Sequence, residues 1–301
     1  MQRRQVEVIG AAWGLGGADP GCADAPGVLA PLLAQRLDEC GLPAAIGPII
    51  APAKGERRKT LAVSKLCGQL ASAVADARRA GRLPCVIGGD HSCAGGTWSG
   101  VARTMEGDLG LVWIDAHMDS HTPATSHTGR LHGMPLAWLL GQADDPLYGL
   151  ASGVLKPQHV CLIGVRSYEP EEDERLRRLG VRVMFMDEVR ARGIDAVLDE
   201  ALEIAAAGTS GFGVSVDLDV VTPEEAPNVG TPVSGGVVSH ELARSLEKIA
   251  GRPALAALEL VEYSPRLDRD GATARVAVSL LAAALCGARE DSEVLAKALH
   301  R

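Results

Sequence analysis

Residues 109–119 read Leu109-Gly110-Leu111-Val112-Trp113-Ile114-Asp115-Ala116-His117-Met118-Asp119: a short apolar run, then three metal-capable side chains at alternate positions. A run this short, apolar on both faces, is a strand inside a sheet covered on both sides. Carboxylates and an imidazole directly after it sit where open α/β sheets bind their ligands. The same arrangement recurs three times. A strand at 84–88 leads into Gly88-Gly89-Asp90-His91-Ser92, one at 212–217 into Asp217-Leu218-Asp219, and one at 255–261 into Glu262-Tyr263-Ser264-Pro265. Further strands are expected at 6–11, 44–50, 159–164 and 181–186, with helices at 25–40, 59–80, 131–141, 170–180, 194–207, 238–250 and 273–288. Gly41, Gly81, Gly180 and Gly251 fall where left-handed helix caps would. Strands alternating with helices make a parallel sheet. One continuous alternation favours a single domain over residues 1–301, although an eight-stranded barrel would alternate in the same way.

Composition removes several function classes. The 301 residues are 47% hydrophobic and 23% charged, too apolar to be disordered. With a net charge of −8 and no basic run, a nucleic-acid partner is not expected. No stretch nears 18 uninterrupted apolar residues, so no membrane span is expected, and the N-terminus lacks the pattern of a signal peptide. The seven cysteines are scattered and form no CxxC pair, which points to a reducing cytoplasm and away from a thiolate zinc site. Trp13, Trp98, Trp113 and Trp138 read as packing residues.

Along an extended strand end, residues i, i+2 and i+4 project to one side. Asp115, His117 and Asp119 then converge, as do Asp217 and Asp219, and His91 adds a second imidazole. Four carboxylates crowded together repel and resist ionisation unless cations join them. An oxygen-rich set with two nitrogens and no sulfur suits Mn²⁺. Two ions about 3.5–4 Å apart can activate a shared water as hydroxide. One DxD or DxH after a strand is most often a cap or a loop carboxylate; three such clusters at three strand ends favour a binuclear site.

These motifs resemble those of the ureohydrolase family, arginase, agmatinase and their relatives. GGDHS, DAHMD and SVDLD match its signature blocks, and all six metal-ligand positions are filled. The resemblance runs from Val6-Glu7-Val8-Ile9-Gly10 to Glu262-Tyr263-Ser264-Pro265. It implies a three-layer α/β/α fold on one mostly parallel eight-stranded sheet, two Mn²⁺ per subunit, and hydrolysis of a guanidino carbon by a metal-bridging hydroxide to release urea. Carried over by position, one ion takes His91 with Asp119 and the other His117 with Asp217, bridged by Asp115 and Asp219. His132 resembles the proton-shuttling histidine, and Glu262 the carboxylate that pairs with the guanidinium. The loop from Asp119 to Gly133 has the length of the arginase loop. At three of its tail-recognising positions stand His121, Thr128 and Arg130, and the two Asn replacements are departures from the family pattern. Arg130 can fork onto a carboxylate, and Glu169 falls where the family keeps an acid near the α-amino group. Asn228 replaces a common Gly and tolerates a left-handed backbone.

L-arginine is therefore the leading small-molecule substrate. Guanidinobutyrate or guanidinopropionate would use Arg130 but not Glu169, and formiminoglutamate is a third option. A non-catalytic relative would have lost a ligand, and none is missing. A phosphohydrolase would want more Arg and Lys around its centre. The resemblance also implies a homo-oligomer, trimer or hexamer; residues 288–301 read as a solvated helix.

Overall fold

A computed structural model describes residues 4–53, 59–142 and 153–287; the expected C-terminal helix over 288–301 lies outside the described residues. The strands are β1 (Val6–Ala11), β2 (Ala44–Ile50), β3 (Leu83–Gly88), β4 (Leu109–Ile114), β5 (Leu155–Val165), β6 (Arg182–Phe185), β7 (Gly211–Asp217) and β8 (Leu255–Val261). They form one open sheet in the order β2-β1-β3-β8-β7-β4-β5-β6, every pairing parallel. The ends of the order do not meet, so the barrel alternative is excluded.

Alternate residues of each central strand feed two cores. On one face Val8, Ile87, Leu258, Val214, Val112 and Ile163 meet α1 (Ala25–Glu39) and its neighbours. On the other Ile9, Val86, Trp113 and Leu162 meet α2 (Lys59–Arg79) and α3 (Ala94–Ala102). The sequence reading passed over α3. Its segment AGGTWSGVA carries three glycines, poor helix formers. Tertiary contact overrides that propensity: Gly96 and Gly100 let the backbone of α2 approach, and Trp98 lies over Gly213 of β7, where a Cβ would sit 1.9 Å from its ring.

The helix expected over 131–141 is a 3-10 turn, Leu131–Gly133, followed by the short α4 (Pro135–Leu139), because Pro135 cannot donate a backbone bond to the turn before it. Three helices follow β5: α5 (Pro170–Leu179), α6 (Met186–Arg192) and α7 (Ile194–Ala206). The segment 238–250 divides into α8 (Ser239–Leu246) and a 3-10 turn, and α9 (Ala272–Cys286) packs against α1 and α8. Among the described residues no helix is long and apolar enough to cross a membrane.

Candidate metal centre

The four central strands, β3, β8, β7 and β4, end side by side, and every polar cluster of the sequence leaves from one of those ends. After β3, Asp90 caps a 3-10 turn that begins at His91, its carboxylate accepting from the Ser92 and Gly16 amides. After β4, the Asp115 carboxylate accepts from the His117 amide at 2.7 Å. After β7, Asp217 caps the turn Leu218–Val220 by accepting from the Asp219 amide at 2.9 Å. Two non-glycine residues among those described have positive φ, Asp119 (48°) and Glu262 (67°). Such a backbone costs on the order of 1–3 kcal/mol and persists only where its surroundings enforce it. Leu136 N–H holds the Asp119 carbonyl, and bonds to Gly89 and Gly230 hold Glu262 on both sides. Asn228, a residue type that tolerates left-handed backbone, is not among them; its side chain ties to Asp268 and Thr273.

The six expected ligands gather into two groups. His91 Nδ1 faces Asp119 Oδ2 at 3.0 Å, Asp217 Oδ2 at 3.1 Å and Asp115 Oδ2 at 3.3 Å. His117 Nδ1 faces Asp219 Oδ2 at 3.0 Å and Asp115 Oδ1 at 3.6 Å. Asp115 thus joins both groups with different oxygens, as expected of a bridging residue. The other two differ from expectation: Asp217 stands with His91 rather than with His117, and Asp219 stands with the His117 group alone rather than between the two. The expectation was carried over from the resemblance, and strand alternation alone would send Asp217 and Asp219 to one point. Asp217 is instead the last residue of the strand, level with Val261, while Asp219 lies in the 3-10 turn beyond it.

These residues fit cations. His91 Nδ1 is buried without a hydrogen-bond partner, amid three carboxylate oxygens. Burial and the neighbouring Asp115 push the Asp119 carboxyl up to about 6. Burial, Asp219 and Asp115 push Asp217 well above the usual range. For Asp115 burial acts upward too, but the two imidazoles beside it, His117 and His91, win and the carboxyl stays below its ordinary value. Both imidazoles, although burial opposes their charge, are driven well up by these carboxylates. The repulsion anticipated from sequence is therefore met by protons on two histidines, and divalent ions would replace them.

Beside the cluster, His132 Nδ1 and Glu262 Oε1 lie 2.9 Å apart, and the same oxygen accepts the His91 amide at 2.9 Å. Burial alone would lower His132; Glu262 outweighs it and raises the imidazole to about 9. The pairing holds Glu262 below its ordinary value against its own burial.

The expected tail contacts are less concentrated. His121 Nε2 lies 2.9 Å from Glu169 and 3.3 Å from Glu172. Glu169 also caps α5 in a capping box with Glu172, so it already has work apart from any ligand. Thr128 and Arg130 are exposed on the loop and line a cavity of about 120 Å³ with Gly16, Gly17, Lys59 and Thr60.

Sequence reading missed three residues. Trp113 stacks on the His91 ring at 4.1 Å and 10°, and its indole N–H donates to Asp115 at 2.9 Å. Ser215 lies 3.0 Å from His91 Nε2, and Glu259 stands behind Ser215. The available signal was a glutamate inside β8, a strand read as wholly apolar before Glu262.

A profile described as the Arginase family matches residues 4–287. An arginase of Brevibacillus brevis is 43% identical over 215 residues, 71% of this chain and 72% of that one. The crystal structure of the arginase from Bacillus caldovelox superposes with a TM-score of 0.89 at 36% identity, covering 95% of this chain and 99% of that one. The formimidoylglutamase of Bacillus subtilis shares the fold at a TM-score of 0.76 and 24% identity, over 95% of this chain and 88% of its own.

Proposed function

The chain belongs to the arginase family, and from that premise we propose that it hydrolyses the guanidino group of L-arginine to L-ornithine and urea. The observation that carries this reading is the pair of His/Asp groups joined through Asp115. His91, Asp115, Asp119 and Asp217 would hold one divalent ion, and Asp115, His117 and Asp219 a second, which we take to be manganese from the oxygen-rich, sulfur-free donor set. Bound there, the ions would lower the pKa of a water and stabilise negative charge on its oxygen as it adds to the guanidino carbon.

The remaining work falls to the chain. Glu262, kept anionic by His132 and by the His91 amide, is the counter-charge for a guanidinium. His132 is fixed through Nδ1 and raised to about 9, so it is protonated at neutral pH and able to give a proton to the leaving amine. His121, Thr128, Arg130 and Glu169 would receive the amino-acid tail. A second reading has one observation in its favour. Glu169 is already engaged by His121 and by the α5 cap, which suits a guanidino acid with no α-ammonium.

The proposal takes residues 1–301 as one catalytic unit in a reducing cytoplasm, consistent with seven free cysteines, six of them buried. Self-association is supported by the exposed Ile46 (54%) and Ile49 (50%) on the edge strand β2. The deciding experiment measures urea released by the Mn²⁺-loaded protein from L-arginine, agmatine, guanidinobutyrate and guanidinopropionate at equal concentration. A dominant L-arginine rate supports the first reading and a dominant guanidino acid the second. Urea from none of them sinks both.

A further inference from the structure

Val86, Glu259, Ser215, Trp113 and Leu162 lie in register across β3, β8, β7, β4 and β5. This row is two residues inside the one that ends in Asp217 and Asp115. Two of its members are polar, and both are fully buried. An isolated carboxylate in the middle of a sheet is costly unless its oxygens are occupied by donors. Those of Glu259 are occupied. The Ser215 hydroxyl donates to Oε2 at 2.7 Å, the Thr97 hydroxyl to Oε1 at 2.5 Å, and the Cys93 thiol approaches Oε1 at 3.5 Å.

The direction of this chain matters. As a carboxylate, Glu259 can only accept, so Ser215 must spend its single hydrogen on it. Toward the other side Ser215 Oγ can then only accept, and the atom it meets, at 3.0 Å, is His91 Nε2. Nε2 must therefore carry a hydrogen. The opposite nitrogen, Nδ1, is the one that faces Asp115, Asp119 and Asp217. Trp113, from the same row, covers the flat face of the ring and ties its indole N–H to Asp115, which restricts ring rotation.

Building on the metal-centre reading above, we propose that Ser215 and Glu259 are positioning residues that hold His91 with its hydrogen on Nε2 and its Nδ1 lone pair directed at one of the two ions. Glu259 acts by fixing which way the serine hydroxyl points. Ser215 acts by offering the imidazole an acceptor and no donor. Neither touches an ion or a substrate. The chain reaches only His91, so its effect is confined to one ion of the pair: no hydrogen bond links Glu259 or Ser215 to His117 among the described residues.

Mn²⁺ titration monitored by the EPR signal of the free ion tests this, with thermal unfolding recorded alongside. The wild type is expected to bind two ions. Ser215→Ala should weaken one of them by about 10- to 100-fold, the usual effect of removing a partner behind a metal ligand, and leave the other in place. Ser215→Thr keeps a hydroxyl and should restore two-ion binding. Glu259→Leu removes the acceptor, frees the serine hydrogen to turn toward Nε2, and should weaken the same ion. In ¹⁵N spectra of histidine-labelled, Zn²⁺-loaded wild type, His91 should show a metal-bound Nδ1 and a proton-bearing Nε2. Unchanged binding of both ions in Ser215→Ala overturns the inference, as does an equal loss of both with a matching drop in Tm, which marks a general structural role. Nε2 as the metal-bound nitrogen overturns it directly. If the wild type binds no Mn²⁺, the metal reading fails and takes this inference with it; if the wild type binds two ions and the variants do likewise, only the inference falls.

Discussion

Asp217 and Arg130 belong to the two parts of the candidate site, and their surroundings differ in kind. Asp217 ends a central strand, is buried, and has its geometry set by register with β8 and by its cap on the following turn. Arg130 stands exposed on the loop between β4 and α4, and its backbone N–H leans on the Thr128 hydroxyl two residues away. Side chains of the first kind are placed by the sheet, whose cooperative packing fixes them before any ligand arrives. Side chains of the second kind gain most of their order from the ligand they meet. Chemistry common to a family belongs at the first location, and differences in substrate among relatives belong at the second.

The sharpest way to break this comparison is to remove a ligand at the sheet end. Asp217→Ala is expected to lower kcat/KM by about 10³-fold or more, the loss of about 4 kcal/mol of ion-dependent stabilisation. Metal analysis of the folded variant should show fewer than two bound ions. Full activity with two ions retained would mean that Asp217 is not a ligand. One step away from the ions, His132→Ala is expected to cost about 10²- to 10³-fold in kcat, in the range of general acid catalysis. Here metal content should remain at the wild-type value. A loss of metal would turn His132 from a proton carrier into a support for the cluster.

The difference between the two parts also explains what could be read from sequence. Every strand of the sheet, and the six clustered His and Asp positions, were legible, because a buried parallel strand has a simple pattern and its polar exit stands out against it. The partition of Asp217 and Asp219 was not. It depends on the chain leaving extended geometry at Leu218, and alternation carries no information about that turn. Glu259 was hidden for another reason: one glutamate within Leu255–Val261 looks like noise until β7 and α3 deliver Ser215 and Thr97 to its two oxygens. The helix α3 was invisible because two of its three glycines, Gly96 and Gly100, serve close packing against α2, a tertiary reason.

At the loop end the effects shrink. Arg130→Gln is expected to raise KM for L-arginine by about 10-fold, near 1.4 kcal/mol for an exposed charge-assisted contact, with kcat nearly unchanged. The preference for L-arginine over agmatine, which has no carboxylate, should narrow by the same factor. An unchanged preference would place Arg130 in solvent and leave tail recognition to His121 and Thr128.

The smallest expected effect probes how the loop is held. Glu172 is buried beneath His121, and burial, with Glu169 beside it, pushes its carboxyl up to about 8. A carboxyl raised on folding stabilises the fold fully below its ordinary value near 4.5, and the contribution is lost as pH rises through 8. Glu172→Gln cannot ionise and should flatten the fall in Tm between about pH 5 and pH 8.5, by about 1 kcal/mol once water access and His121 are allowed for. Measured at saturating Mn²⁺ throughout, the difference between the two Tm profiles isolates the loop. If they run parallel, Glu172 does not titrate in this interval, and the loop is held by the capping box and by Arg175, which donates to the Ser120 carbonyl at 2.5 Å. If they converge toward low pH, the tail loop carries a pH sensitivity of its own, set by a group that lies outside the two clusters joined by Asp115.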